Sequence, residues 1–111
     1  MDMELDVLDG AITRVRLMGR MDTSGIDAIE TRFTAALVAP GRSAVVDLAR
    51  VTFLASMGVR MLIACARGLK NKGYKLVLYG APDRVQEVLE TVALDLIIPV
   101  VSSQQDAVAL I

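Results

Sequence analysis

The chain of 111 residues fits one domain of ordinary size, and its hydrophobic content of 54% argues against disorder. Twelve basic and thirteen acidic residues leave a formal charge of −1, so charge gives no reason to expect nucleic acid or an anionic membrane as a partner. The absence of histidine excludes Ser-His-Asp and Cys-His catalytic sites, and with a single cysteine a zinc site is also unexpected. Composition leaves carboxylate and lysine chemistry open, but no paired motif indicates it, so we expect no metal, no cofactor and no enzymatic activity.

The first half of the chain shows strand and helix signals in turn. Alternating apolar residues on either side of Asp9-Gly10 predict a hairpin of two strands, the second ending at Gly19. From Thr23 the apolar residues recur every three or four positions, which predicts a helix that stops at Pro40-Gly41. The stretch SAVVDLA then predicts a short buried strand.

The second half continues the alternation of helices and strands. Its predicted elements are a helix from Ser56 to about Asn71 with Gly73 as its stop, a buried strand YKLVLYG, a helix APDRVQEVLETVAL, a short edge strand LIIPVV, and a closing helix in SSQQDAVALI. The order is therefore ββαβαβαβα. Strands that alternate with helices favour parallel pairing. We predict an α/β fold with a mixed, mainly parallel sheet, formed by residues 1–111 as a single domain.

The sequence also indicates where the protein acts. No apolar run approaches the roughly 18 residues that a membrane-spanning helix needs. The N-terminal stretch MDMELDVLDG is acidic and alternating, unlike a signal peptide, and Cys65 has no second cysteine with which to form an internal disulfide. We expect a cytoplasmic protein that does not insert into a membrane.

Ser56 is the main candidate site residue. It lies alone between an apolar run and an apolar helix, in the stretch FLASMGVRML. Serine is a favoured helix N-cap, so the simplest interpretation is a hydroxyl that accepts a hydrogen bond from the first helical turn. A helix N terminus also suits an anion, and a phosphate on Ser56 would add about −1.5 to −2 charges there without melting the helix. The residues alone leave both interpretations open.

A second candidate is the stretch MDTSG, Met21 to Gly25. It resembles the D-T-G of aspartic proteases only superficially, because those enzymes need two aspartates and here a helix follows at once. Asp22, Thr23 or Ser24 is more simply a helix cap. The remaining possibility is a contact loop at the same end of the sheet as Ser56.

The helix that begins at Ser56 carries two apolar stripes, counted at about 100° per residue. The predicted core stripe consists of Val59, Leu62, Ile63, Ala66 and Leu69. The opposite stripe consists of Met57, Met61, Ala64 and Gly68, flanked by Arg60 and Arg67. Either both sides of the helix are buried, or the second stripe is a partner surface with adaptable methionines.

Three segments, in order, resemble the STAS domains of bacterial anti-sigma factor antagonists. LMGRMDTSGID is similar to the family's L-x-G-x-L-D before a helix, and VVDLARVTFLASMGVRML is similar to its D-L-S-x-V-x-F-x-D-S-[ST]-G-L stretch. DLIIPVVSSQQDAVALI is similar to its closing strand and helix. The resemblance covers essentially the whole chain and implies a mixed sheet with helices packed largely on one face.

The resemblance also implies a function in partner switching and transcription regulation. Family members bind a serine kinase that acts as an anti-sigma factor, and the kinase releases them once it has phosphorylated the motif serine. A phosphatase then restores binding. By position the phosphoacceptor is Ser56, so the missing histidine is explained, because another protein's active site would activate this serine. The residues expected to contact the partner are Asp22, Thr23, Ser24, Ala55, Met57, Gly58, Arg60 and Met61.

The chain departs from the family motif on both sides of the serine. Ala55 replaces the family aspartate and Met57 replaces the usual Ser or Thr, so D-S-[ST]-G has become A-S-M-G. Either the kinase accepts alanine or this member signals without phosphate. The alternative function is a constitutive STAS interaction subunit, for example one that docks on the ATPase of a lipid transporter. A nucleotide-hydrolysing enzyme is disfavoured, because no Gly-rich phosphate loop is present.

Overall fold

Five strands form one sheet in the order β1-β2-β3-β4-β5, described by a computed structural model of all 111 residues. The elements are β1 Asp2–Leu8, β2 Ile12–Met21, α1 Thr23–Val38, β3 Ala44–Leu54, α2 Ser56–Asn71, β4 Leu76–Tyr79, α3 Asp83–Thr91, a 3₁₀ turn Leu94–Leu96, β5 Val100–Val101 and α4 Gln104–Ala109. Only the β1–β2 pair is antiparallel, and the other three pairs are parallel. The predicted α/β fold and element order are confirmed.

The main core lies between one face of the sheet and helices α1, α2 and α3. Successive residues of a strand point to opposite faces, so the neighbours Val45 and Val46 belong to different clusters of buried hydrophobic residues. Val46 belongs to the main core, and Val45 belongs to a smaller cluster that Ala107 of α4 covers on the opposite face. The helices are thus packed largely on one face, as expected. None of them is long and apolar enough to cross a bilayer.

The hairpin between β1 and β2 turns where the sequence predicts. Asp9 and Gly10 have positive φ values of 50° and 68°, and the N–H of Ala11 donates to the carbonyl of Leu8 at 2.9 Å. Two central residues with positive φ define the turn whose twist matches that of the paired strands. This tight connection fixes the register of β1 on β2.

Three predicted strand boundaries are wrong. β2 does not end at Gly19 but continues to Met21, and the glycine adopts a φ of 109° at a shift in the β2–β3 register. Such a glycine marks a bulge within a strand rather than its end. β3 extends beyond SAVVDLA to Leu54. In LIIPVV only Val100–Val101 is strand, because the 3₁₀ turn takes the beginning of the segment and Pro99 has no N–H to donate.

Candidate functional site

β2 and β3 end at the same edge of the sheet, and a single residue separates each strand from the helix that follows it. β2 and β3 are parallel neighbours, and Met21 is the register partner of Leu54. Their carboxyl ends therefore meet, and the N–H of Ala55 donates to the carbonyl of Met21 at 3.2 Å. The structure thus brings residues 22–24 to the same edge as Ser56.

The starts of α1 and α2 have the same layout. α1 begins as Asp22-Thr23-Ser24-Gly25 and α2 begins as Ala55-Ser56-Met57-Gly58, with the N-cap first and glycine three residues later. Thr23 and Ser56 are therefore equivalent, since each is the first residue of its helix and each is exposed. Because only the glycine is identical, the likeness becomes visible only when the two helix starts are aligned in the structure.

The side chain of Asp22 caps the N terminus of α1. Its Oδ1 accepts a hydrogen bond from the N–H of Gly25 at 2.8 Å, and the Nε of Arg20 donates to its Oδ2 at 3.1 Å. These bonds, that from Gly25 first, favour the charged carboxylate and hold the pKa of Asp22 below its ordinary value. Of the three residues that could cap this helix, Asp22 is the cap.

The N terminus of α2 has no side-chain cap. Ala55 is its N-cap, with the extended backbone angles φ −116° and ψ 177°, and no side chain accepts from the first turn. The prediction that Ser56 caps the helix is therefore wrong, because Ser56 already has helical geometry one residue inside. The first N–H groups of a helix lack partners within it, so the exposed Ser56 hydroxyl lies beside donors that no side chain satisfies.

Gly25 and Gly58 allow each helix to start close to the strands. A Cβ on Gly25 would lie 2.1 Å from the carbonyl oxygen of Arg20, which is a backbone atom. A Cβ on Gly58 would lie 2.8 Å from Leu54 Cδ1 and 3.0 Å from Met21 Cβ. Gly58 therefore belongs to the packing beneath the site, and it is buried.

Arg20 and Phe53 add an aromatic and a cationic group to this edge. The guanidinium carbon of Arg20 lies 4.3 Å from the centroid of the Phe53 ring, and Phe53 is 39% exposed. A large aromatic left exposed beside a candidate contact loop is a feature of binding surfaces. Neither residue is among the site residues that the sequence predicts. The available signal was position, since Phe53 precedes the buried Leu54 on a strand and must point to the other side.

The second apolar stripe of α2 is not a solvent-facing surface. Met61 is only 2% exposed and belongs to the main core, so its predicted place on a partner-binding surface is wrong. Gly68 lies against Val38 of α1, where a Cβ would come within 3.2 Å. Met57 is half-buried. Because α1 covers this side, burial on both sides describes α2 better than an open methionine stripe.

The core side of α2 is rotated relative to the prediction. Leu62 and Leu69 are buried as expected, but Cys65 is buried with them, and burial raises the pKa of its thiol. The remaining members of the predicted core stripe are only half-buried, namely Val59, Ile63 and Ala66. The buried side of α2 is rotated because the helix packs against α1 as well as against the sheet.

The exposed face of α2 carries only positive charge. It runs through Ser56, Arg60, Ala64 and Arg67, and the whole helix contains no acidic residue. Neither arginine forms an ion pair within the chain. Arg60 lies one turn after Ser56, a spacing at which two helical side chains are neighbours. A phosphate on Ser56, or an acidic group of a partner, would meet this arginine.

Comparison with known proteins identifies the family. Residues 6–100 match the family model described as Mlab, STAS domain, so the chain belongs to the STAS-domain family. It is similar to BtrV, a candidate anti-sigma factor antagonist of Bordetella bronchiseptica, with 28% identity over 109 residues that cover 98% of this chain and 93% of that protein. The family predicted from the three sequence segments is confirmed.

Solved structures agree with this assignment. An anti-sigma factor antagonist from Mycobacterium paratuberculosis shares 28% identity at a TM-score of 0.81, with 98% of this chain and 92% of that one covered. The Bacillus anti-sigma factor antagonist SpoIIAA, in its unphosphorylated form, gives a TM-score of 0.78 at 18% identity, with 96% and 93% covered. At that lower identity the likeness to SpoIIAA shows the fold alone.

Proposed function

We propose that this protein is an anti-sigma factor antagonist that binds a serine kinase acting as an anti-sigma factor and lets it go when Ser56 is phosphorylated. The observation that supports this most is the exposed Ser56 hydroxyl at the uncapped start of α2. The names of the relatives point the same way, and SpoIIAA has been solved both without and with its phosphate. A phosphatase that removes the phosphate from Ser56 would restore binding.

The unphosphorylated edge offers a contact surface of mixed character. Phe53 supplies exposed aromatic area, Arg60 supplies positive charge that is not paired within the chain, and residues 22–24 form the neighbouring start of α1, where Arg20 pairs with Asp22. A partner with an acidic and apolar patch would complement this surface. We expect the kinase to be this partner and the two proteins to meet in the cytoplasm. This function requires no direct contact of the chain with nucleic acid and no insertion into a membrane.

Phosphorylation would switch this surface by charge. Oγ of Ser56 takes up the γ-phosphoryl group of ATP, ADP leaves, and the hydroxyl proton passes to a base of the kinase, so this chain needs no catalytic group of its own. The phosphate adds about −1.5 to −2 charges, engages Arg60, and faces the acidic patch of the partner. Repulsion and desolvation then weaken the contact. At the N terminus of α2 the same charge is favourable, so the fold is kept.

Ala55 acts in favour of the phosphorylated form. The family aspartate at this position would stand at the N-cap of α2, next to the phosphoacceptor. A carboxylate there would repel a phosphate on Ser56 and compete with it for the same N–H groups. Alanine removes both effects, so the departure from the family motif is compatible with the switch.

A second candidate function is a constitutive interaction subunit, for example on the ATPase of a lipid transporter. The observation that favours it is the loss of both motif neighbours of Ser56, now Ala55 and Met57. The two functions differ in the mass of the protein isolated from its own cells. An added phosphate located on Ser56 supports the switch, and an unmodified Ser56 in every growth condition supports the constitutive subunit.

The equivalent position on α1 provides a matched control for the switch. We would titrate wild type, Ser56→Glu and Thr23→Glu against the serine kinase of the same organism. We expect Ser56→Glu to lose at least about tenfold in affinity and Thr23→Glu to lose much less, because Asp22 already places a carboxylate at the start of α1. Equal losses for the two variants, or none for Ser56→Glu, would overturn the proposed switch.

A further inference from the structure

A groove opens at the end of the sheet opposite Ser56. β5 begins late, since its first residue, Val100, pairs with Leu78, so the first two residues of β4 pair with β3 on one side and have no strand on the other. The resulting groove has a volume of about 590 Å³ and lies between the second half of α2, the start of β4, the segment before β5 and the end of α4. This volume is within the range typical of small-molecule sites.

One side of the groove is apolar. Ile97 and Leu110 line it and are 55% and 44% exposed, and Pro99 also lines the groove. Leu76 and Val77 line it from β4. Large apolar side chains that are exposed together in one concave site indicate a binding surface rather than ordinary scatter.

The other side of the groove is cationic. Arg67 and Lys70 extend from α2, and Lys75 stands at the start of β4. None of the three forms an ion pair with a carboxylate of the chain. Lys75 Nζ donates to the carbonyl of Leu110 at 3.3 Å, so its charge is held where the cationic and apolar sides meet. The chain as a whole has a net charge of −1, so three cations without ion-pair partners in one groove are a local excess of positive charge. Such an excess indicates a site for an anionic ligand.

We propose that this groove binds a long-chain fatty acid. The carboxylate would lie against Arg67, Lys70 and Lys75, and the hydrocarbon chain would cover Ile97 and Leu110. Arg67 and Lys70 come from α2, whereas the exposed Ile97 and Leu110 come from the segment before β5 and the end of α4, so the groove matches a molecule with one anionic end and one apolar tail. A free phosphate would leave the apolar side wet, and a cationic amphiphile would be repelled. The site is separate from the Ser56 edge and does not depend on the phosphorylation switch.

The test uses dodecanoate as the probe, below its micellar concentration, with backbone amide NMR shifts and calorimetry as readouts. Two probes serve as controls: butanoate, with the same head and a short tail, and dodecyltrimethylammonium, with the same tail and the opposite charge. We expect saturable one-to-one binding of dodecanoate, with shifts at Arg67, Lys70, Lys75 and Ile97. Butanoate and the ammonium probe should each bind at least about tenfold more weakly.

Variants then locate the site. Arg67→Glu and Ile97→Asp should each weaken dodecanoate binding by about tenfold or more. Arg32→Glu on the exposed face of α1 makes the same charge change elsewhere and should leave binding unchanged. Ser56→Glu should also leave it unchanged. The proposal fails if Arg67→Glu and Arg32→Glu behave alike, if all three probes bind equally, or if the groove takes up an acidic peptide but not dodecanoate.

Discussion

The starts of α1 and α2 lie side by side at one edge of the sheet, follow one layout and end up chemically different. At α1 the carboxylate of Asp22 accepts the N–H of Gly25, and Arg20 braces it from the other side. At α2 the equivalent cap is Ala55, whose side chain accepts nothing, and the N–H of Gly58 donates to the Ala55 carbonyl at 3.0 Å instead. At α1 a side chain of the protein accepts from the first turn, and at α2 no side chain does.

This difference separates a structural serine or threonine from one that is available for chemistry. Thr23 and Ser56 occupy the same helical position and are both exposed. At α1 a carboxylate already accepts from the first turn and would repel a phosphate on Thr23, whereas at α2 no side chain accepts from the first turn. An exposed hydroxyl is common on any surface, so the missing cap is what singles out Ser56.

The largest expected effect compares the two buried glycines. Gly25→Ala places its Cβ against a backbone carbonyl that is fixed in the strand, so we expect a loss of about 3 kcal/mol or more in the free energy of unfolding. Gly58→Ala meets the end of the Leu54 side chain at 2.8 Å and Met21 Cβ at 3.0 Å, both side-chain atoms at longer distances, and should cost about 1–2 kcal/mol. Urea unfolding of both variants measures the difference. A costlier Gly58→Ala would show that the packing under Ser56 is the more rigid.

Acid unfolding tests the cap of α1. The native pKa of Asp22 is lowered, so its stabilisation is fully present above its unfolded pKa of roughly 3.9 and is lost as pH falls through the lower native value. Asp22→Ala should therefore be less stable than wild type at neutral pH, and the gap should shrink at acidic pH. Melting temperatures from pH 7 down to pH 2 provide the measurement. A gap that stays constant with pH would contradict the cap.

Supplying the missing cap of α2 should stabilise the protein. Ala55→Asp gives the first turn a carboxylate acceptor, and we expect a gain of about 1 kcal/mol in the free energy of unfolding. The same variant should be a poorer carrier of phosphate on Ser56, since the carboxylate competes for the N–H groups. Thermal unfolding of the variant tests the first effect. No gain in stability would mean that the start of α2 is already satisfied.

The smallest effect on stability is expected at Ser56 itself. Ser56 is not the cap, so Ser56→Ala should change the free energy of unfolding by less than about 0.5 kcal/mol, as is usual for an exposed site. Thermal unfolding beside wild type is the measurement. A loss above about 1 kcal/mol would reveal a structural role for the hydroxyl that the geometry does not show.

The sequence predicts the alternation of strands and helices because hydrophobic period, hairpin signals and helix stops are local. Asp9-Gly10 and Gly73 illustrate this, since both adopt the positive φ that their turns require. The final strand was overestimated, because an apolar run such as LIIPVV does not reveal that only Val100–Val101 finds a partner strand. Pairing is a tertiary property that apolar content alone does not determine.

The sequence predicts that Ser56 lies at the start of a helix, but it does not predict which residue caps that helix or which of its side chains are buried. Ser56 was placed correctly at the start of a helix, yet its role as cap was off by one residue, since the extended backbone of Ala55 is invisible in a list of residue types. Met61 was assigned to the surface because periodicity shows that a stripe is apolar, not which neighbour covers it. That neighbour is α1, which is distant in sequence.

The proposed switch requires that Ser56, and not its counterpart Thr23, accepts a phosphate. The most direct measurement is the intact mass of wild type, Ser56→Ala and Thr23→Ala after incubation with ATP and the serine kinase of the same organism. We predict one added phosphate on wild type and on Thr23→Ala, and none on Ser56→Ala. A phosphate that persists on Ser56→Ala, or disappears from Thr23→Ala, would contradict the account.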